Sequence, residues 1–353
     1  RYRQTFLACR LGRNDYALSI FEVDGGLQHD QIFHSSARRQ DVWRPQVPTT
    51  PAAGSLLPPS IAFLPDARPE KGRWFVQAYG AFRPKLKGGV DGPCQVLLGP
   101  PDPSAEPSLK LHLLGHAPAT LITAESPAAP TSTDPTESVG ARSSLIVRRR
   151  TEEGETLRSA FTTLFEPVRA GVPPLVRVGR VESTPDAVVV LVESAEGSEH
   201  LVFNRKAGTP VRVQLATGRY VTTDGLAVRI RGDDVLLAGG TYVEAAGGLL
   251  SQPSIRGSIV AAEREADDRG RGWFLTNDEV PDGVDLSGRN LFLEHGDGAV
   301  RSWTVDSVEK TPQGTRFRVR EEPGFRIDPR TGAAAYYQFP LDSHPGPHKF
   351  RIA

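Results

Sequence analysis

The chain has 353 residues, 38% of them hydrophobic, enough for one large domain and a smaller one with a substantial buried core. With 42 basic and 42 acidic residues its formal net charge is zero, so bulk electrostatics do not mark it as a nucleic-acid binder and leave any polyanion to local basic clusters. The 35 glycines and 30 prolines, without a Gly-X-Y period, disfavour both long helices and collagen.

No apolar run approaches the ~20 residues of a membrane span. There is no signal peptide and no Met, so the chain reads as a processed or partial one. Cys9 and Cys94 could pair or stay as free thiols.

Taken in order, residues 16–23 (YALSIFEV) are apolar, aromatic and β-branched, and they run into Asp24-Gly25-Gly26, a turn signal. Residues 28–34 follow directly, so the two read as a hairpin reversed by Gly-Gly at positive φ. Residues 41–60 and 98–108 are Pro-rich and irregular. Residues 72–79 (GRWFVQAY) and 109–114 (LKLHLL) read as strands. The Pro/Ala/Ser/Thr-rich stretch 117–142 reads as a long surface loop. Residues 144–150 (SLIVRRR) and 159–166 (SAFTTLFE) are further strands, the second closed by Pro167.

From 175 to 270 short strands recur about every ten residues, the spacing of a β-sandwich. Charge and glycine then cluster at 263–272 (EREADDRGRG), where residues 263–268 look weakly helical. A boundary falls there. The sequence predicts an all-β protein: a large antiparallel β-sandwich, supersandwich-like, over residues 1–268, and a small C-terminal β domain over 269–353.

No self-contained active site is legible. There is no G-x-S-x-G elbow, Walker A loop, Rossmann fingerprint or H-E-x-x-H, and no Cys/His cluster has zinc spacing. The densest polar stretch is 24–34. On a strand, side chains alternate faces, so His29, Gln31 and Phe33 share one side and Asp30, Ile32 and His34 the other. Asp30 could orient His34, a plausible acid/base unit; a buried His beside an Asp also often just satisfies its own hydrogen bonds. His29, Asp30 and His34 are thus the catalytic candidates.

Arg38 and Arg39 are candidate substrate contacts, because Arg pairs bidentately with carboxylate and sulfate-like groups. Arg148, Arg149 and Arg150 read as a solvated strand edge. Tyr79, Tyr336 and Tyr337 could act as phenolic acids or bases, and Trp43, Trp74, Trp273 and Trp303 could stack on sugars. High β-propensity puts most of these aromatics in the core instead. Residues 344–348 (HPGPH) read as a turn with both histidines in solvent.

The order of these segments resembles heparinase II/III-like polysaccharide lyases. It runs from Tyr2-Arg3 and the strand 16–23 through Asp24-Gly25-Gly26, His29-Asp30 and His34, and then through 109–114, 145–149 and 159–167 to Gly272-Trp273 and Glu322-Pro323-Gly324-Phe325. Two positions depart from the family's pattern: Asp24-Gly25-Gly26 stands where the family has Arg-x-Gly-Gly, and Ser35 stands where a Gly is usual.

The resemblance implies that the chain is the β half of an enzyme whose α/α toroid and main catalytic residues lie upstream. It implies β-elimination on an acidic, uronate-containing polysaccharide and a periplasmic or extracellular setting. It implies no cofactor within this chain, with any structural zinc or calcium held upstream. The expected partners are the polysaccharide and a toroid domain or chain, with room for a homo-oligomer, and neither nucleic acid nor a membrane span. The alternative is a non-catalytic structural or carbohydrate-binding extracellular protein of the same fold.

Overall fold

The computed structural model describes all residues except 1, 37–38, 58–78, 103, 116, 128–140, 153–154, 207, 246–247, 252–253, 266–270, 339–340 and 353, together with the side chains of 181–183. It is nearly all β, every strand pairing described is antiparallel, and no helix among the described residues could cross a membrane. Two compact units divide the chain. One is Arg1–Gly179 with Val192–Ser198, the other Arg180–Leu191 with Glu199–Ala353.

The first unit contains β1 (Tyr2–Leu11), β2 (Asn14–Asp24), β3 (Gln28–His34), β4 (Val42–Pro45), β5 (Thr50–Pro51), β6 (Arg83–Val90), β7 (Cys94–Gly99), β8 (Leu109–Leu113), β9 (Ala119–Pro127), β10 (Ala141–Arg150) and β11 (Arg158–Pro167). These form a six-stranded sheet, β1-β2-β11-β8-β7-β4, and a five-stranded sheet, β3-β10-β9-β6-β5. Alternation puts Val96, Leu111 and Phe161 from the first sheet against Leu121, Leu145 and Val147 from the second, the sandwich core.

β2 and β3 are not a hairpin. β2 pairs with β1 and β11, and β3 pairs with β10 in the facing sheet. Gly25 (φ 103°) and Gly26 (φ 84°) still turn the chain at positive φ, but they turn it into an arch between sheets. Stacked sheets lie about 10 Å apart, a gap that three extended residues can span. Backbone bonds from Gly25 N to Leu157 O and from Leu157 N to Gly26 O tie the arch to the lead-in of β11.

The expected loop over 117–142 is also corrected. β9 occupies its first part and lies inside the second sheet, between β10 and β6; residues 128–140 lie outside the described ones. Within the Pro- and Ala-rich composition, Leu121, Ile122 and Thr123 supply the buried β-prone residues. Residues 41–60, expected to be irregular, supply the short strands β4 and β5. The strand expected over 72–79 falls on residues outside the description apart from Tyr79, which opens a 3-10 turn, Tyr79–Ala81.

The chain continues with β12 (Arg177–Ser183), β13 (Ala187–Ser194), β14 (Gly197–Asn204), β15 (Val211–Gln214), β16 (Tyr220–Thr223), β17 (Ala227–Arg231), β18 (Asp234–Ala238), β19 (Tyr242–Ala245) and β20 (Gly248–Ser251). Two sheets, β12-β13-β14-β17-β18 and β15-β16-β19-β20, bury Val189, Val202 and Val228 against Val213, Val221 and Val243.

After these come β21 (Ile255–Arg264), β22 (Gly272–Thr276), β23 (Asn290–Glu294), β24 (Val300–Thr311), β25 (Gly314–Val319), β26 (Phe325–Ile327), β27 (Ala334–Tyr336), β28 (Ser343–His344) and β29 (Lys349–Ile352). Strands β21-β22-β25-β24-β23-β29 close into a barrel, and β26-β27-β28 form a small separate sheet. Closure leaves no free edge, and a barrel this small must be filled by side chains. Phe274, Phe317 and Phe325 fill it at zero exposure, with Trp303 edge-on to Phe274 at 4.9 Å between centroids.

The boundary expected near 268 falls between β21 and β22, two paired strands of this barrel. β21 is already a barrel strand from Ile255 and pairs with both β22 and β29, while the chain divides at Gly179/Arg180. A charged, Gly-rich stretch has the composition of a linker, which explains the misreading. Glu263 and Arg264, expected to be helical, end β21.

Candidate functional site

Two of the candidate residues, Asp30 and His34, lie on the outer face of the second sheet of the first unit. β3 and β10 pair with Asp30 opposite Arg148 and His34 opposite Ser144. Asp30 takes a two-pronged ion pair: Arg148 Nε donates to Oδ1 at 2.9 Å and Nη2 to Oδ2 at 2.8 Å. Both side chains are buried, at 2% and 7% exposure. Tyr79 also donates to Asp30. Burial, and then this carboxylate, push its phenol well above the ordinary range. The Arg148 guanidinium lies 5.9 Å from the centre of the Tyr79 ring.

His34 is exposed at the end of β3. Its Nδ1 lies 2.8 Å from Ser144 Oγ, which lies 2.7 Å from Ser126 Oγ, and both serines are buried. Phe82 lies beside the ring. Partial burial and then the charge of Arg142 lower the His34 pKa, which favours the neutral ring at neutral pH.

The expected Asp30–His34 pair does not form. Residues i and i+4 of a strand share a face but stand about 13 Å apart. Each therefore takes a partner from β10 across the ladder.

His29 faces inward. Gly25 O can only accept, so His29 Nε2–H donates to it, and Nδ1 of the neutral ring accepts from Ser159 Oγ at 2.8 Å. Buried and bonded at both nitrogens, His29 holds the β2–β3 arch against β11.

Arg39 pairs with Asp41 at 3.0 Å, and Arg38 lies outside the described residues. Arg148, Arg149 and Arg150 are not a uniform solvated edge. Arg148 is buried, Arg149 is half-buried, and only Arg150 is exposed, donating to Gln28 at 2.7 Å.

The barrel of the second unit holds a cluster that the sequence did not reveal. His348, expected in solvent, is 3% exposed, and the His344 ring only 13%. Gly332 O accepts from His348 Nε2 at 2.8 Å. His348 Nδ1 must then be the acceptor in its 2.8 Å contact with His295 Nδ1. His295 Nε2 is left to accept from Tyr336 OH at 2.9 Å. The result is a one-directional chain of neutral groups, Tyr336 to His295 to His348 to Gly332 O.

His344 stacks on His295 at 4.7 Å and donates to Asp297 at 2.7 Å. Burial, followed by the neighbouring His348 and His344, lowers the His295 pKa to about 4. Burial lowers that of His348 as well and raises that of the Tyr336 phenol. Such a chain can relay a proton only by reversing every bond in it.

The other aromatics are spread out. Trp43 and Trp303 are core, Trp273 lies under Arg316, Tyr337 is exposed, and Trp74 lies outside the described residues. Cys9 and Cys94 do not form a disulfide. Among the described residues no group of three or more His, Cys, Asp or Glu is arranged to hold a metal ion. No family model matches the chain, and no curated protein matches it.

Proposed function

We propose that the chain is the β-sandwich portion of a lyase that cleaves uronic-acid-containing polysaccharide by β-elimination, outside the cytoplasm, with its main catalytic residues carried outside these 353 residues. In that reaction a base takes the proton α to the uronate carboxyl, the electron pair forms a carbon–carbon double bond, and the protonated glycosidic oxygen leaves. The reading rests on the order of motifs along the chain. The observation that carries it to a site is His34, an exposed imidazole anchored by Ser144 and biased to the neutral form that can accept a proton.

A second reading, a non-catalytic carbohydrate-binding or structural protein of the same fold, is favoured by His29 and Asp30, whose polar atoms are taken up by internal bonds.

One experiment separates the two. The full-length gene product is incubated with heparin, heparan sulfate and other uronate polysaccharides while ultraviolet absorbance is followed. The lyase reading expects a rise from the unsaturated product. It also expects His34→Ala to slow that rise by about 10²–10⁴-fold with the melting temperature unchanged. No rise on any substrate refutes the lyase. Unchanged turnover with a lowered melting temperature assigns His34 to the fold.

A further inference from the structure

A cleft in the first unit opens between the two sheets at the end where β10 runs out and β9 begins. It opens to solvent and is walled mainly by apolar groups, among them Val90, Leu113, Ala119, Val147 and Phe161. Two polar side chains of the inner face border it, Gln31 on β3 and Arg149 on β10. They are diagonal neighbours on the ladder, since Gln31 pairs with Val147 and His29 with Arg149, close enough for long side chains to converge.

Both have hydrogen-bond donors to spare. Gln31 is 7% exposed, and its Oε1 accepts from Thr163 at 3.3 Å. Its amide N–H groups donate to no described residue. Arg149 donates from Nη1 to Arg158 O at 3.1 Å, and its Nε is buried without a partner. No carboxylate pairs with it among the described residues, unlike Arg148 beside it. A half-buried guanidinium without a counter-ion is costly, and burial lowers its pKa. An anion in the cleft would relieve that cost.

We propose that this cleft binds a small carboxylate with a short apolar chain. The carboxylate would accept from the Arg149 guanidinium and the Gln31 amide, and the chain would lie against Leu113, Val147 and Phe161. A sugar acid fits the walls worse, because its ring hydroxyls would face Val90, Leu113 and Phe161 with nothing to bond. The site is therefore separate from the polysaccharide reading and does not depend on it.

The test titrates the protein with sodium hexanoate and, as the uncharged control, 1-hexanol, read by calorimetry and by melting temperature. Hexanoate should bind saturably and raise the melting temperature, and hexanol should not. Arg149→Met should weaken hexanoate by about tenfold or more, because a charge-assisted bond is lost. Without ligand the same variant should melt about 2–4 °C higher, because an uncompensated cation has gone. A merely structural arginine would instead lower it. Gln31→Leu, which keeps the cation, should weaken binding by a smaller factor and serves if Arg149→Met does not fold. Absence of saturable hexanoate binding overturns the proposal, and so does equal affinity in wild type and variant.

Discussion

Replacing Asp30 with alanine is expected to destabilise the first unit by about 3–5 kcal/mol, the cost of stranding a buried cation. The substitution leaves the Arg148 guanidinium buried, with both of its bonds to Asp30 gone, and it removes the acceptor for the Tyr79 hydroxyl. The paired substitution Asp30→Leu with Arg148→Met should recover most of the loss, because it removes both charges and fills the space with apolar atoms. Urea unfolding of the wild type, Asp30→Ala and the double variant measures it. A midpoint unmoved by Asp30→Ala would show that the ion pair does not hold the sheet together. It would also reopen Asp30 as a reactive group, since its present geometry consumes both oxygens.

Acid should act on the second unit through the buried histidine chain. In the folded protein His295 titrates at about 4, against 6.5 ordinarily. Between those values the unfolded chain binds a proton that the folded barrel refuses, so stability falls as pH falls through the window and is fully regained above about 6.5. At about 1.4 kcal/mol per pH unit the loss reaches about 3 kcal/mol near pH 4. His348, also lowered, pushes the same way. The other charged neighbours, Asp297 and Arg301, pull in opposite directions.

His295→Gln removes the titrating group. Its unfolding midpoint should change less steeply with pH than that of wild type, by close to one proton, even though the variant is less stable at pH 7. The check is urea denaturation from pH 4 to 7, followed through Trp303 in the barrel core. Identical slopes for the two proteins would mean that His295 is not held neutral by its surroundings.

The two candidate clusters differ in how far they could be read in advance. His29, Asp30 and His34 stood out because they crowd one short strand, and the period of two grouped their faces: His29, Gln31 and Phe33 on one, which the structure turns inward, and Asp30, Ile32 and His34 on the other. Their partners did not stand out. Arg148 is 118 residues from Asp30, Ser144 is 110 from His34, and Ser159 is 130 from His29. The barrel cluster gave still less warning, because His295, Tyr336 and His348 come from three segments, and His295 is 53 residues from His348 and 41 from Tyr336.

By itself the sequence determined that this is an all-β chain and where many of its strands run. Residues 159–166 were read as a strand and lie in β11, and Pro167, which was expected to close it, is its last residue. Those features are local, set by β-branched and aromatic alternation and by residues that cannot continue a ladder. Which strand lies beside which was decided only in the tertiary structure. Alternation says which side chains share a face, but it is silent about what that face meets. The Gly25-Gly26 turn therefore looked like a hairpin and is an arch, and the boundary expected near 268 falls between β21 and β22, two paired strands of one barrel. The acids and bases took their states from neighbours that only folding brings within hydrogen-bonding distance.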